Sequence, residues 1–112
     1  MEINTLQDKI YRVNCENGWH NNDPHMETPE EFFRFISNCH SEISEAYEEY
    51  KNNRGEYYIN DGKPEGIVAE LADTIIYILD YAKARGFNMD EIINAKVNYN
   101  STRGYRHGDK RA

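Results

Sequence analysis

The segment from about residue 64 to Gly86 constrains the fold more than any other part of this chain. When it is projected as a helix at about 100° per residue, its apolar side chains spread over more than half of the circumference. Four of its polar side chains share one narrow strip: Glu70, Asp73, Tyr77 and Asp80. A helix this apolar must be covered by other parts of the protein. Its acids are therefore expected to face either cations on a neighbouring helix or a metal ion.

A second long helix is predicted directly before this one. Thr28 stands at the N-cap, Pro29 at the first helical position and Glu31 three residues after the cap, which is a typical helix start. The helix is expected to reach about Arg54, and Gly55 ends it. One strip of this helix is acidic and borders its apolar face; it consists of Asn38, Glu42, Glu45 and Glu49.

If the two long helices pack antiparallel, Glu42 and Glu45 lie opposite Glu70 and Asp73. Four carboxylates this close cannot all ionise without a counter-charge, because each negative charge raises the pKa of its neighbours. None of the four histidines follows a glutamate by three residues, so an iron site of the Glu-x-x-His type is not indicated. An all-oxygen ligand set favours Mg²⁺, with Mn²⁺ as a substitute. The alternative is an ordinary solvated acidic face, the usual fate of a Glu-x-x-Glu pair.

Two shorter helices flank the long pair. The first is predicted from about Thr5 to Asn17, and the last from Asn88, a second N-cap, to about Asn100. The third helix is expected to begin near Pro64 or Glu65. No segment alternates strongly enough to predict a strand, although residues 56–59 are a weak candidate. We therefore expect an all-α four-helix bundle in a single domain, residues 1–112, with a basic tail from about residue 101.

The net charge of −7 argues against general nucleic-acid binding, which needs a basic face. From Lys96 onward five basic residues oppose one acid, a charge of +4 that leaves −11 for the rest. This asymmetry suits an anionic ligand that arrives with a divalent cation, but a solvated tail explains it equally well. No secretory signal or membrane-spanning apolar run is found, and Cys15 and Cys39 are expected to be reduced, so a soluble cytoplasmic protein is predicted.

The acidic residues also stand in a pattern that resembles a known family. Glu42-Ile43-Ser44-Glu45 followed by Glu70-Leu71-Ala72-Asp73 looks like the paired acidic motifs of the MazG-like, all-α nucleoside triphosphate pyrophosphohydrolases. The flanking stretches 40–50 and 63–73 are similar to the same family, as is the ending from Lys96 through Lys110, where members often carry glycine in place of Asp109. The resemblance covers about residues 17 to 111.

The resemblance implies hydrolysis of a nucleoside triphosphate between the α and β phosphates. It implies that Glu42, Glu45, Glu70 and Asp73 bind Mg²⁺, and that a glutamate, Glu45 or Glu42, also activates the attacking water. Further residues would bind the substrate: Lys96, Asn100 and Arg103 the phosphates, with His107 and Lys110 closing over them, and Tyr77, Trp19 and His20 the base or sugar.

Several of these residues have other readings. Trp19 could equally be a core or dimer contact, and Tyr77 a buried tyrosine bonded to Asp73. Asp80 is expected to pair with a lysine such as Lys96.

The alternative function is that of a non-catalytic helical protein that binds nucleotide or metal, or takes part in regulation. The apolar third helix in so short a chain, like the family, favours a homodimer or homotetramer.

Overall fold

The computed structural model describes residues 2–20 and 28–104, and these are mostly helical. The four helices are α1 (Ile3–Glu16), α2 (Pro29–Lys51), α3 (Ile67–Ala84) and α4 (Met89–Ser101). Two short strands, β1 (Tyr58–Asn60) and β2 (Lys63–Glu65), pair antiparallel between α2 and α3. The predicted four helices are confirmed. None of the helices in the described ranges combines the length and apolar character that crossing a membrane requires.

Both helix starts read from the sequence carry a side-chain cap. The Thr28 hydroxyl accepts a hydrogen bond from the backbone N–H of Glu31 at 3.2 Å. Asn88 accepts from the N–H groups of Asp90 and Glu91, at 2.9 and 3.5 Å. These contacts satisfy N–H groups that the first turn of a helix leaves without partners, and they fix where α2 and α4 begin.

Helices α2 and α3 pack antiparallel and form the centre of the fold. At one end Phe35 stacks on Tyr81, with ring centroids 4.1 Å apart and planes 9° from parallel. At the other end Glu45 lies beside Glu70. The apolar side chains buried among the described residues are few and mostly small: Cys39, Ala46, Leu79, Ala82 and Ala84. Small side chains let the two helix backbones approach closely.

Gln7 of α1 connects three helices. It is 2% exposed, and its Nε2 atom donates to the carbonyls of Leu79 and Phe87, both at 3.1 Å. Its Oε1 atom accepts from the N–H of Met89 at 3.2 Å. Both the nitrogen and the oxygen of this buried amide therefore form hydrogen bonds. One side chain thus holds α1, the end of α3 and the start of α4 together.

The hairpin was not predicted, and α3 begins later than expected for that reason. Tyr58 pairs with Glu65 and Asn60 with Lys63 across a two-residue turn, Asp61-Gly62. Both turn residues have positive φ, 53° and 80°, the conformation that favours Asp-Gly in a tight hairpin. Residues 63–65 therefore belong to β2, and the expectation that the helix starts at Pro64 or Glu65 was wrong.

Gly66 joins the hairpin to α3 at a close approach of two backbone segments. Its φ is +108°, and a Cβ atom at this position would lie 2.7 Å from the carbonyl oxygen of Glu56. That same oxygen accepts a hydrogen bond from the N–H of Val68 at 2.8 Å. The contact fixes the orientation of the hairpin relative to α3.

Gly66→Ala is expected to lower the free energy of unfolding by about 1–3 kcal/mol, because both its backbone conformation and its contact with Glu56 exclude a side chain. Gly62→Ala is the matched control. Gly62 also has a positive φ, but no atom lies within 4 Å of its Cβ position. Urea unfolding of both variants measures the difference. If both lose the same free energy of unfolding, the close contact between Gly66 and Glu56 does not contribute to stability.

Much of the apolar surface of α3 stays uncovered in a single chain, contrary to the expectation from its sequence. Leu79 is 4% exposed, but Val68 is 50% and Ile75 54% exposed. The radius of gyration is 16.6 Å, whereas a compact chain of this length has about 13 Å. The single chain is therefore extended, and several large apolar side chains of α3 are about half exposed to solvent.

Candidate metal centre

Three carboxylates from the two central helices meet at one point. Glu42, Glu45 and Glu70 each offer a carboxylate oxygen, and these atoms all lie within 4.8 Å of one another. Glu42 and Glu45 are one helical turn apart on α2, so they point the same way. The antiparallel packing brings Glu70, in the first turn of α3, to face them. The predicted opposition of Glu42 and Glu45 to Glu70 is thus present.

Asp73 lies beside this group but is not one of the three residues whose oxygens meet so closely. Its negative charge raises the pKa values of Glu42 and Glu70, and burial and the charge of Glu45 raise the pKa of Asp73 itself. We call Glu42, Glu45, Glu70 and Asp73 the acidic cluster. Asp73 is one turn after Glu70 on α3, which places it at the edge of the cluster.

The surroundings of Glu42 raise the pKa of its carboxyl group. Burial, hydrogen bonding to Glu70 and Glu45, and the charges of Glu45 and Asp73 raise the pKa of Glu42 to about 8. Burial also raises the pKa of Glu70, although the hydrogen bond from Glu42 lowers it. One oxygen of Glu42, Oε2, is buried and has no hydrogen-bond partner among the described residues. A buried carboxylate oxygen without a partner is costly unless something else binds it.

The residues present fit a hard divalent cation. All donors in the cluster are carboxylate oxygens, the ligands that Mg²⁺ and Mn²⁺ prefer. A cation within reach of Glu42, Glu45 and Glu70 would neutralise their repulsion and satisfy the Oε2 atom of Glu42. The three glutamates differ in solvent exposure: Glu42 and Glu70 are half-buried, and Glu45 is exposed. The cluster is therefore open to solvent on the Glu45 side.

Glu49 continues the acidic strip of α2 but turns away from the cluster. It is 8% exposed and faces the hairpin, where its charge raises the pKa of Tyr58. Its Oε2 atom makes no hydrogen bond among the described residues and lies 3.7 Å from Nε of Arg54. The nearby guanidinium compensates the buried charge. Glu49 therefore lies beside Arg54, and its charge reaches Tyr58 of the hairpin.

Tyr77 is half-buried next to the acidic cluster, one turn after Asp73 on α3. Burial raises the pKa of its hydroxyl, and the charges of Glu42 and Asp73 raise it further. Its ring therefore borders the acids, as the shared strip predicted. Asp80 lies toward the other end of the strip, and its partner is not the lysine that was expected.

Asp80 pairs with His20 and not with a lysine. The Nε2 atom of His20 lies 2.9 and 2.8 Å from the two carboxylate oxygens of Asp80, and both side chains are less than one-fifth exposed. The imidazole also stacks on Tyr11 at 4.9 Å. The expected pairing with Lys96 was wrong because His20, with a φ of 61°, turns back onto α3 just after α1 ends. His20 is thus held by its own chain.

Asp80→Asn is expected to destabilise the protein by about 1–2 kcal/mol, because it weakens the half-buried bond to His20. Asp8→Asn is the control, since Asp8 pairs with Lys83 at the same distance, 2.8 Å, but with both side chains far more exposed. Exposed ion pairs contribute little, so the control should change the free energy of unfolding by less than about 0.5 kcal/mol. Equal effects in chemical denaturation would show that His20 and Asp80 do not hold α1 to α3.

The described part of the chain shows no hydrogen bond or ion pair between the acidic cluster and the other predicted substrate-binding residues. Trp19 is 66% exposed, and Lys96 and Asn100 are exposed on α4. Arg103 follows α4, with its guanidinium 5.7 Å from the ring centre of Tyr99. Within residues 2–20 and 28–104, neither Lys96 nor Arg103 forms an ion pair with the acidic cluster. His107 and Lys110 lie outside the described residues.

Sequence reasoning missed the residues of the hairpin. Tyr58 lay in the weak strand candidate and Glu65 near the expected start of the third helix, and neither was predicted to influence the acidic strip. Burial and the charges of Glu49 and Glu65 raise the pKa of Tyr58, and the charge of Lys63 lowers the pKa of Asp73. The Asp61-Gly62 pair is the signal that could have located the turn.

Comparison of the chain with protein-family models, with curated proteins and with solved structures gives no match. The function must therefore be inferred from the chemistry of the acidic cluster and from the motifs that surround it.

Proposed function

We propose that the chain is a magnesium-dependent nucleoside triphosphate pyrophosphohydrolase with the four-helix arrangement of the MazG-like family. The observation that carries the proposal is the meeting of three carboxylates from two facing helices. One of them has a buried oxygen with no hydrogen-bond partner in the described part of the chain. The net reaction is nucleoside triphosphate plus water to nucleoside monophosphate plus pyrophosphate. Because the cluster is acidic, a negatively charged substrate must bind there together with a cation.

The proposed roles follow from position within the cluster. Glu42, Glu45, Glu70 and Asp73 would hold the metal ion. When bound, Mg²⁺ offsets the charge of the phosphates and lowers the pKa of a coordinated water. Glu45 is exposed, as is Asp73, and Glu45 would orient the attacking water and accept its proton. Glu42, half-buried, would give up its proton to become a ligand.

The remaining assignments are proposals that come from the motif resemblance. Lys96, Asn100 and Arg103 would bind the phosphate chain, with His107 and Lys110 completing that site. Tyr77 and Trp19 would contact the base or sugar by stacking. His20 is the least available of these residues, because Asp80 and Tyr11 already occupy its ring. We therefore assign His20 to positioning of the segment that carries Trp19.

A panel of ribo- and deoxyribonucleoside triphosphates with Mg²⁺ tests the proposed reaction. Pyrophosphate and nucleoside monophosphate are the expected products in equal amounts, and orthophosphate should not be released first. The Asp73→Asn variant is the control for contaminating phosphatases. Binding of nucleotide without turnover across the panel would favour the non-catalytic alternative, and orthophosphate as the first product would exclude the proposed bond cleavage.

We also propose that the chain functions as a homodimer or homotetramer. The large apolar side chains on α3 that stay exposed, including Val68 and Ile75, form a surface of the kind that protein interfaces cover. The extended radius of gyration supports the same proposal, because a second copy would complete the packing around α3. Light scattering at micromolar concentration should give a mass of at least twice 13.2 kDa. A monomer under these conditions would contradict the proposal.

A further inference from the structure

Both central helices carry an uncovered strip of large apolar side chains. On α2 the strip recurs at spacings of four and three residues, and its side chains are more than half exposed: Ile43, Tyr47 and Tyr50. On α3 the spacings are three, four and three residues, and the exposed fractions run from 37% to 54%: Val68, Leu71, Ile75 and Ile78. Each helix therefore has one continuous apolar strip that the single chain leaves about half exposed.

The two strips lie on the same side of the helix pair. Projected at about 100° per residue, each strip lies roughly 140° around its helix from the acids that this helix contributes to the acidic cluster. The buried side chains Ala46 of α2 and Thr74 of α3 project between the acids and the strip. Because the acids of both helices meet on one side of the pair, both strips lie on the opposite side.

The register of α2 and α3 joins the strips into one surface. Phe35 stacks on Tyr81, and Glu45 lies beside Glu70. This antiparallel register brings the middle of the α2 strip level with the start of the α3 strip. Packed helices have axes about 8–10 Å apart, so the two strips adjoin. We call the seven side chains of the two strips the apolar face.

The size of the apolar face matches one half of a stable interface. Its seven side chains, each about half exposed, present roughly 700–800 Å² to solvent, and each partner of a stable interface buries about 800 Å². A typical monomer exposes no apolar patch larger than roughly 300–600 Å². The apolar face therefore has the area that a protein partner covers.

The distribution of charge indicates that this partner is a second copy of the chain. The net charge is −7, so two copies repel each other wherever their acids meet. None of the seven residues of the apolar face is charged, whereas the opposite side of the helix pair carries the acidic cluster. Two copies can therefore approach by the apolar face. Two adjoining strips can also pack on themselves about a two-fold axis, as an isologous interface requires.

We propose that two copies of the chain associate through the apolar face. The α2 and α3 helices of both copies then form a four-helix core, and the two acidic clusters lie on its outer sides, open to solvent. This inference rests on the proposed homo-oligomer for the identity of the partner. It adds that α2 contributes to the interface together with α3 and that α4 lies outside it.

Hydroxyl-radical footprinting of the unsubstituted protein tests the apolar face without any substitution. Tyr47 and Tyr99 are both 61% exposed in the single chain, so they should be oxidised at similar rates in a monomer. In the assembled protein Tyr47 should react about fivefold more slowly than Tyr99, because an interface core packs as closely as a protein interior. Equal rates in a sample that light scattering shows to be assembled would overturn the proposal.

Substitution by lysine tests the two helices separately. Tyr47→Lys and Ile75→Lys each place two unpaired charges in the interface, one from each copy, and each should raise the dissociation constant by about 100-fold or more. Val97→Lys is the matched control, because Val97 is 57% exposed but lies on α4. It should leave the dissociation constant unchanged. Light scattering over a dilution series measures the mass, and circular dichroism shows whether the dissociated variants remain helical.

The outcomes separate the apolar face from the proposed oligomer. A monomeric unsubstituted protein at micromolar concentration would contradict both. An oligomer that keeps its affinity in Tyr47→Lys or in Ile75→Lys would overturn the apolar face and leave the oligomer in place. Neither measurement involves a nucleotide, so the proposed hydrolysis can fail while the apolar face stands, and the reverse also holds.

Discussion

Glu45→Gln is expected to lower the turnover of nucleoside triphosphates by roughly 10²- to 10³-fold, the usual cost of removing a group that acts on charge in the transition state. The metal-free protein should at the same time become more stable. Glu45 is exposed, so the substitution removes no buried contact. Its charge raises the pKa values of Glu42, Glu70 and Asp73, which means that it repels all three in the folded protein.

The control for this prediction is Glu48→Gln, three residues further along α2. Glu48 pairs with Lys51 in solvent, and its substitution should change neither turnover nor the magnesium dependence of the melting temperature. Steady-state kinetics and thermal melts with and without Mg²⁺ compare the two variants. Normal turnover in Glu45→Gln would remove Glu45 from the metal centre, and a loss of metal-free stability would show that its charge does not repel the other acids.

The stability of the metal-free protein is expected to fall as the pH rises toward about 8. The pKa of Glu42 is about 8 in the folded protein and 4.5 as an unperturbed group. Between these values the folded state binds more protons than the unfolded state, so stability decreases with rising pH. The contribution is fully present below about pH 4.5 and is lost through about pH 8. The raised pKa values of Glu70 and Asp73 act in the same direction.

Glu42→Gln separates the part of this pH dependence that belongs to Glu42. Glutamine resembles the protonated carboxyl group, so the variant should match the unsubstituted protein near pH 6 and exceed it near pH 9, by on the order of 1–2 kcal/mol. It should also lose stabilisation by Mg²⁺, since an amide is a weaker ligand than a carboxylate. Urea unfolding across this pH range provides the measurement. Parallel pH profiles for the two proteins would contradict the assignment of the bound proton to Glu42.

Saturating Mg²⁺ should reverse the sign of the pH dependence in the unsubstituted protein. A metal ion binds the deprotonated carboxylates and displaces protons, so its stabilising effect grows as the pH rises. A constant stabilisation by Mg²⁺ from low to high pH would indicate that the metal binds away from Glu42.

The central part of the fold could be predicted because its signals are local and periodic. The cap at Thr28 fixed the start of α2, and the apolar spacing of α3 fixed its orientation, so the opposition of Glu42 and Glu45 to Glu70 followed from antiparallel packing alone. Asp73 was placed correctly on the strip but lies slightly apart from the other three. A helical projection gives the direction of a side chain but not its distance from a partner.

Other features depended on contacts that sequence patterns do not encode. The hairpin is two strands of three residues, too short for an alternating pattern, and only its Asp61-Gly62 turn carries a local signal. The bond between His20 and Asp80 joins residues sixty positions apart through a left-handed backbone conformation at His20. The apolar character of α3 led to the expectation of a dimer or tetramer, but the sequence could not show which of its side chains, such as Val68 and Ile75, stay exposed in a single chain.

The proposed function requires a divalent cation held between α2 and α3. Diffraction from crystals grown with Mn²⁺ and recorded at the manganese absorption edge tests this most directly. The predicted result is an anomalous peak about 2–2.3 Å from carboxylate oxygens of Glu42, Glu45 and Glu70, with Asp73 turned toward it. Crystals that show Mn²⁺ only at other surface acids, with Glu42 still hydrogen-bonded to Glu70, would contradict the account.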